Sequence, residues 1–128
     1  MKHILKLYTA ITLLTCTPQF LCGAEATHSL PELRQLAINN NVAPTIINQV
    51  FTQISICQQK AIEKGIAAEH VNEVIGKGIN SVFEIWEAEE HLSDISNLIT
   101  VLVAMVRSEL FREDPVDVVF SLLKERGV

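Results

Sequence analysis

The residues best suited to chemistry in this sequence are acidic side chains and one histidine that crowd into residues 84–94. They are Glu84, Glu87, Glu89, Glu90, His91 and Asp94. If one helix continues through this segment, Glu84, Glu87 and His91 fall on the same face. Carboxylate and imidazole groups bind metal ions, but the spacing is neither the Glu-x-x-His of di-iron bundles nor the His-Glu-x-x-His of zinc proteases. The segment therefore predicts no metal site.

The same acidic cluster surrounds a tryptophan, and this combination favours a binding surface. Large aromatic side chains contribute strongly at protein interfaces. The predicted partner-binding residues are Glu84, Trp86, Glu87, Glu90 and His91. The alternative role of the cluster is solubility and helix capping, because Ser93 or Asp94 is a good N-cap and acidic residues suit the start of a helix.

The sequence offers no readable catalytic set. His28, His70 and His91 have no nucleophile or orienting partner at a consistent spacing. Gly76-Lys77-Gly78 lacks the four-residue spacing and the following Ser or Thr of a Walker phosphate loop. Cys57 lies inside an apolar stripe, which predicts a small buried hydrophobic residue. No catalytic residue and no cofactor are predicted.

These residues must be positioned by helices, and the most apolar helix lies just after the acidic cluster. From Leu98 to Val106 only Thr100 interrupts the apolar residues, so other helices must cover this segment. The nine-residue run is half of the roughly 20 residues that span a bilayer, so we expect no transmembrane span in the mature chain. One side of the helix is small or weakly polar, and it either admits another helix or faces solvent: Asn97, Thr100, Ala104 and Ser108.

Four amphipathic patterns accompany this central helix, which should cover about residues 94–113. They predict an all-α, compact bundle of about five helices, with residues 27–128 as a single helical domain. Gly76 and Gly78 predict either a kink or two shorter helices, and a close helix crossing. The last helix is expected to point Val116, Val119, Phe120 and Leu123 inward, and Val118 and Leu122 widen this apolar stripe.

The N-terminus has the pattern of a cleavable signal peptide over residues 1–24. Lys2 and Lys6 precede an apolar segment of about ten residues at positions 7–16, and small residues follow. Cleavage is expected after Ala24 or Ala26. Lipidation at Cys16 is the minor alternative. The sequence therefore predicts a periplasmic or secreted protein.

The charge and the cysteine content restrict both the class of partner and the source of stability expected for an exported chain. Removing residues 1–24 takes away Lys2 and Lys6 and no acidic residue, which changes the formal charge from −5 to −7. A net negative charge of this size repels the phosphates of nucleic acid, so no nucleic-acid partner is predicted. Only Cys57 remains after cleavage, so helix packing rather than an internal disulfide must stabilise the domain.

Three functional hypotheses follow, from different classes. The first is an exported helical protein that acts by protein–protein interaction without catalysis, its partner being another protein or a second copy in a homodimer. The second is a carrier that holds a small apolar ligand between helices, in a cavity left by the glycines at their crossing. The third is a metal-dependent enzyme.

Overall fold

A computed structural model describes residues 28–127, and this part of the chain contains helices and no strands. The prediction of an all-α fold with about five helices is confirmed for these residues, whereas the predicted signal peptide lies outside them. The helices are α1 (Leu30–Asn39), α2 (Pro44–Glu63), α3 (Ala68–Ala88), α4 (Ile95–Phe111) and α5 (Pro115–Glu125).

Local sequence signals account for where the helices begin. Ser29 caps α1 in a reciprocal capping box with Glu32. Asp94 accepts a hydrogen bond from the backbone N–H of Ser96 at the start of α4, and Asp114 caps α5 in the same way. α4 ends at Phe111 because Arg112 takes a left-handed conformation, with φ of 58°. The predicted central helix is therefore confirmed, with an end two residues earlier than expected.

The helices form two layers with α4 at the centre of one of them. α4 packs against each of the other four helices, most extensively against α3 and α5. α2 lies across the inner side of α4, and α1 packs on α2 and α4. α3 and α5 therefore flank α4 on its two sides. No helix among residues 28–127 is both long enough and apolar enough to cross a membrane.

The glycine-containing segment forms one uninterrupted helix, so the expectation of two shorter helices was wrong. The close crossing was predicted correctly. A Cβ atom placed on Gly78 would overlap the Leu102 side chain of α4, whereas one on Gly76 would contact nothing within 4 Å. Only Gly78 is therefore required by packing, and Leu102 fills the space that its missing side chain leaves.

The apolar stripe of α5 points differently from the prediction. Val118 and Leu122 are buried, whereas Val116 and Phe120, which were expected to face inward, are 59% and 64% exposed. α5 is apolar on more than one side, and α4 covers only one of them. Helical periodicity alone does not show which apolar side of such a helix finds a partner.

α4 shows the same ambiguity around its axis. Its weakly polar side admits a helix at Thr100 and Ala104, which are buried. Val101 and Met105 are instead exposed, each at 45%. Both positions point away from α2, on the side of α4 that lies between the two flanking helices.

Candidate functional site

The acidic cluster of the sequence analysis is gathered at the end of α3 and in the turn that follows. α3 ends at Ala88, and Glu90 and His91 have left-handed φ angles of 54° and 66°. The helix therefore does not continue to His91. The chain folds back instead, and the backbone N–H of His91 donates to the carbonyl oxygen of Trp86 at 2.9 Å.

This reversal places the imidazole of His91 on the indole of Trp86. The two rings are nearly parallel, at 7°, with centroids 4.7 Å apart. His91 Nε2 lies 3.3 Å from Glu87 Oε1, so Glu87 and His91 do meet although no helix joins them. Trp86 is only 8% exposed and packs into the core. The exposed part of the predicted site therefore consists of carboxylates and the imidazole.

Glu84 lies on a different side of α3, beside the start of the described chain. His28 stacks on Phe83 with ring centroids 3.8 Å apart, and its Nδ1 is 3.3 Å from Glu32 Oε2. Partial burial raises the pKa of Glu84 above its usual value, and the nearby His28 opposes this effect. The structure thus separates Glu84 from the pair formed by Glu87 and His91.

The chemistry available to this cluster is that of surface charge and hydrogen bonding. Within residues 28–127, no group of three or more His, Cys, Asp or Glu side chains is placed to hold a metal ion. Glu87 and His91 already contact each other, and the neighbouring Glu89 and Glu90 are exposed. The cluster can pair with cationic groups of a partner.

A second surface was not anticipated from the sequence. Among residues 28–127, nine large hydrophobic side chains are extensively exposed, and five of these lie on α3, α4 and α5. We call the side of these three helices that points away from α2 the outer face. It includes Val74, Ile85, Val101, Met105, Val116 and Phe120.

Hydrogen bonds show that α5 contributes its apolar stripe to this outer face. Gln49 of α2 donates to the carbonyl oxygen of Leu122 at 3.0 Å, so this side of α5 lies towards α2. Arg126 donates to Thr100 Oγ1 of α4 at 2.7 Å, so the adjacent side lies towards α4. Val116 and Phe120 follow further around the helix, away from α2.

The link through Thr100 also fixes the position of α5. Thr100 is the one buried polar residue among residues 28–127, and its hydroxyl donates to the Ser96 carbonyl oxygen at 2.6 Å. It accepts from Arg126, whose Nε donates to Gln49 Oε1 at 2.6 Å. These hydrogen bonds join the end of α5 to both α4 and α2 and so fix its position along them.

On the other side of α4, the outer face contains a groove. It has a volume of about 230 Å³ and runs between α3 and α4 over Gly78, with Val74, Ser81 and Met105 along it. Charged side chains of both signs stand at its edges, among them Lys77 of α3 and Glu109 of α4. Gly78 is buried in this crossing, where Leu102 of α4 occupies the space beside its backbone.

The far end of α4 carries a structural ion pair. Arg107 donates from Nε and Nη2 to the two carboxylate oxygens of Glu113, at 2.7 and 2.6 Å. These hydrogen bonds lower the pKa of Glu113. Cys57 lies nearby and is 2% exposed, and burial raises the pKa of its thiol in spite of the Arg107 charge. The prediction that Cys57 is a buried hydrophobic residue is confirmed.

Comparison with known proteins adds no family to these observations. The chain matches no protein-family model, and neither a curated protein nor a solved structure is significantly similar to it. The functional interpretation therefore depends on the chemistry of the two surfaces described above.

Proposed function

We propose that this protein is exported to the periplasm or secreted, and that it acts there by binding protein rather than by catalysis. The observation that carries the proposal is that five exposed large hydrophobic side chains lie on α3, α4 and α5, at positions that helical spacing places on the outer face. Scattered exposed apolar residues are normal, whereas a contiguous patch on a small protein is typical of an interaction site.

The outer face supports this proposal better than the acidic cluster does. Binding hot spots are commonly large apolar or aromatic side chains in desolvated contacts. Phe120 and Met105 are available for such contacts on the outer face, together with Val101 and Val116. In the acidic cluster Trp86 is largely covered, and Leu92 in the turn after α3 is 86% exposed. The preference for the outer face therefore rests on its larger number of exposed apolar side chains. The acidic cluster remains a prediction as a second surface, with Glu87 and Glu90 as its accessible charges.

The two surfaces are distinguished by site-specific photo-cross-linking in the cells that produce the protein. A photoreactive amino acid replaces Met105 on the outer face, Glu90 in the acidic cluster, or Ile56 on α2 as the control. Ile56 is 50% exposed, close to the 45% of Met105, but lies in the other layer. We expect a protein adduct from position 105 and none from position 56.

The outcomes of this experiment decide between the surfaces and test the proposal itself. An adduct from position 90 alone would transfer the binding role to the acidic cluster, and Glu87→Lys with Glu90→Lys should then abolish it. Absence of adducts at both positions 105 and 90 would contradict the proposed function.

Export is tested on the same material. We expect the protein outside the cytoplasm, with a mature N-terminus at Glu25 or Thr27 by mass spectrometry. An intact chain that retains Met1 and stays in the cytoplasm would contradict this part of the proposal.

A further inference from the structure

We propose that the outer face binds a second copy of this chain, forming a two-fold symmetric homodimer centred on Val101 and Met105 of α4. This inference rests on the proposed role of the outer face as an interaction surface and names its partner. Three features support it: the absence of charge at its centre, its own complementary shape, and its size.

The first feature is the character of the side chains that α4 exposes at the middle of the outer face. They are Asn97, Val101, Met105 and Ser108. In a two-fold interface the residues near the axis meet their own copies, so a charged residue there would face a like charge. The formal charge of the chain is −5, and docking through most of its surface would bring acidic groups together. The centre of the outer face carries no charge, so a second copy meets no such repulsion there.

The second feature is the juxtaposition of a ridge and a groove. Val101 and Met105 are one helical turn apart and form an apolar ridge on α4. The groove over Gly78 runs directly beside this ridge. Helices pack by inserting the ridges of one into the grooves of the other. A two-fold axis beside Met105, which belongs to the ridge and also lines the groove, brings the ridge of each copy to the groove of its partner, as a self-complementary interface requires.

The third feature is the size of the outer face. α4 contains 17 residues, which corresponds to a length of about 25 Å. Three helices spaced about 8–10 Å apart give a similar width. A footprint of roughly 25 by 25 Å is comparable with the accessible area of about 800 Å² that each partner buries in a standard interface.

Sedimentation equilibrium over a concentration series tests the dimer on protein produced from the full-length chain. We expect a mass about twice that of the monomer for the natural sequence. Val101→Glu places two negative charges near the axis and should weaken association at least about tenfold. Ile56→Glu, which adds the same charge to a similarly exposed site on α2, should leave the dimer intact.

Circular dichroism of each variant separates loss of association from loss of folding. The dimer is supported if Val101→Glu is monomeric and keeps its helical spectrum and the Ile56→Glu control remains dimeric. It is overturned if the natural sequence is monomeric at about 100 µM, well above typical affinities of specific complexes. It is also overturned if Val101→Glu remains dimeric.

The result at position 105 separates failure of the dimer from failure of the proposed function. A monomeric protein that still cross-links another protein through position 105 overturns the dimer and leaves the proposed function standing. If the protein is monomeric and also forms no cross-link through position 105, both the dimer and the proposed binding role of the outer face are overturned.

Discussion

Leu102 and Val101 are neighbours in the chain, and their side chains point about 100° apart around the axis of α4. Leu102 is 1% exposed and fills the space over Gly78 between α4 and α3. Val101 is 45% exposed on the outer face. Both are aliphatic residues in the middle of one apolar helix. The difference between them shows that a helix which is apolar nearly all round can supply a core on one side and leave an exposed apolar surface on another.

Aspartate substitutions at these two positions should produce the largest difference in the free energy of unfolding. Leu102→Asp buries a carboxylate without a partner and leaves a cavity, a loss of at least about 3–5 kcal/mol, which is a large part of a typical domain stability. Val101→Asp should remain helical at 25 °C because its carboxylate reaches solvent. Urea titrations followed by circular dichroism measure both. A folded Leu102→Asp variant, or an unfolded Val101→Asp variant, would contradict the assignment of the two sides.

The two glycines of α3 provide a second comparison of an inner and an outer position. Gly78→Ala should destabilise the protein by about 1–3 kcal/mol, because its Cβ overlaps Leu102. Gly76→Ala should stabilise it by up to about 1 kcal/mol, because alanine is the better helix former and nothing lies within 4 Å. Thermal melts of the two single variants should therefore shift in opposite directions. Equal shifts would argue against the close crossing at Gly78.

Thr100→Val tests the hydrogen bond that attaches α5 to α4, at the boundary between the inner and outer sides of α4. Valine keeps the shape of threonine but removes the hydroxyl that accepts from Arg126. We expect a loss of about 1–3 kcal/mol from the unpaired donor, measured by urea unfolding. Ser121→Ala, at an exposed position of α5, is the control and should change stability by less than about 0.5 kcal/mol. A neutral Thr100→Val variant would mean that this hydrogen-bond chain does not hold α5.

The smallest effects are expected from two carboxylates whose pKa values shift in opposite directions. Hydrogen bonds from Arg107 lower the pKa of Glu113, so its contribution to stability is present above the unfolded carboxyl pKa of about 4.3 and is lost as the pH falls through the folded value. Burial raises the pKa of Glu84, so ionising it costs stability as the pH rises through its folded value.

The corresponding variants should separate these two carboxylates. Glu113→Gln should reduce stability at pH 7 and flatten its decline below pH 5, because the neutral amide no longer gains from Arg107. Glu84→Gln should be neutral or slightly stabilising at pH 7. Denaturant midpoints between pH 3 and pH 8, a range about the carboxyl pKa values, measure both. The same pH dependence in the two variants would contradict the opposite shifts.

Much of the fold was predictable because local signals were strong. Asp94 was predicted as an N-cap and caps α4, and the stripe through Cys57 on α2 is buried as expected. Gly78 also predicted a close crossing, since a glycine inside a helix needs a packing reason. The boundaries differed only slightly from the predicted ones, because capping depends on residues next to each other in the chain.

The candidate site was less predictable for an equally physical reason. The acidic cluster was visible as a run of charges, but the fold of His91 onto Trp86 depends on a left-handed turn that helical periodicity does not reveal. The outer face was hidden because Val116 and Phe120 have the spacing of core residues. One signal in the sequence could have indicated the outer face. α4 and α5 contain more apolar positions than one core needs.

The sequence by itself determined that residues 28–127 form helices, where those helices begin, and which segment is apolar enough to lie at the centre. These properties depend on caps, breakers and periodicity within about 20 residues of chain. Only the tertiary structure decided which side of α4 is inside. That choice depends on the crossing at Gly78, the bond from Arg126 to Thr100 and the position of α2, contacts between residues far apart in sequence. The outer face exists because α3 and α5 occupy the flanks of α4 and leave Val101 and Met105 uncovered.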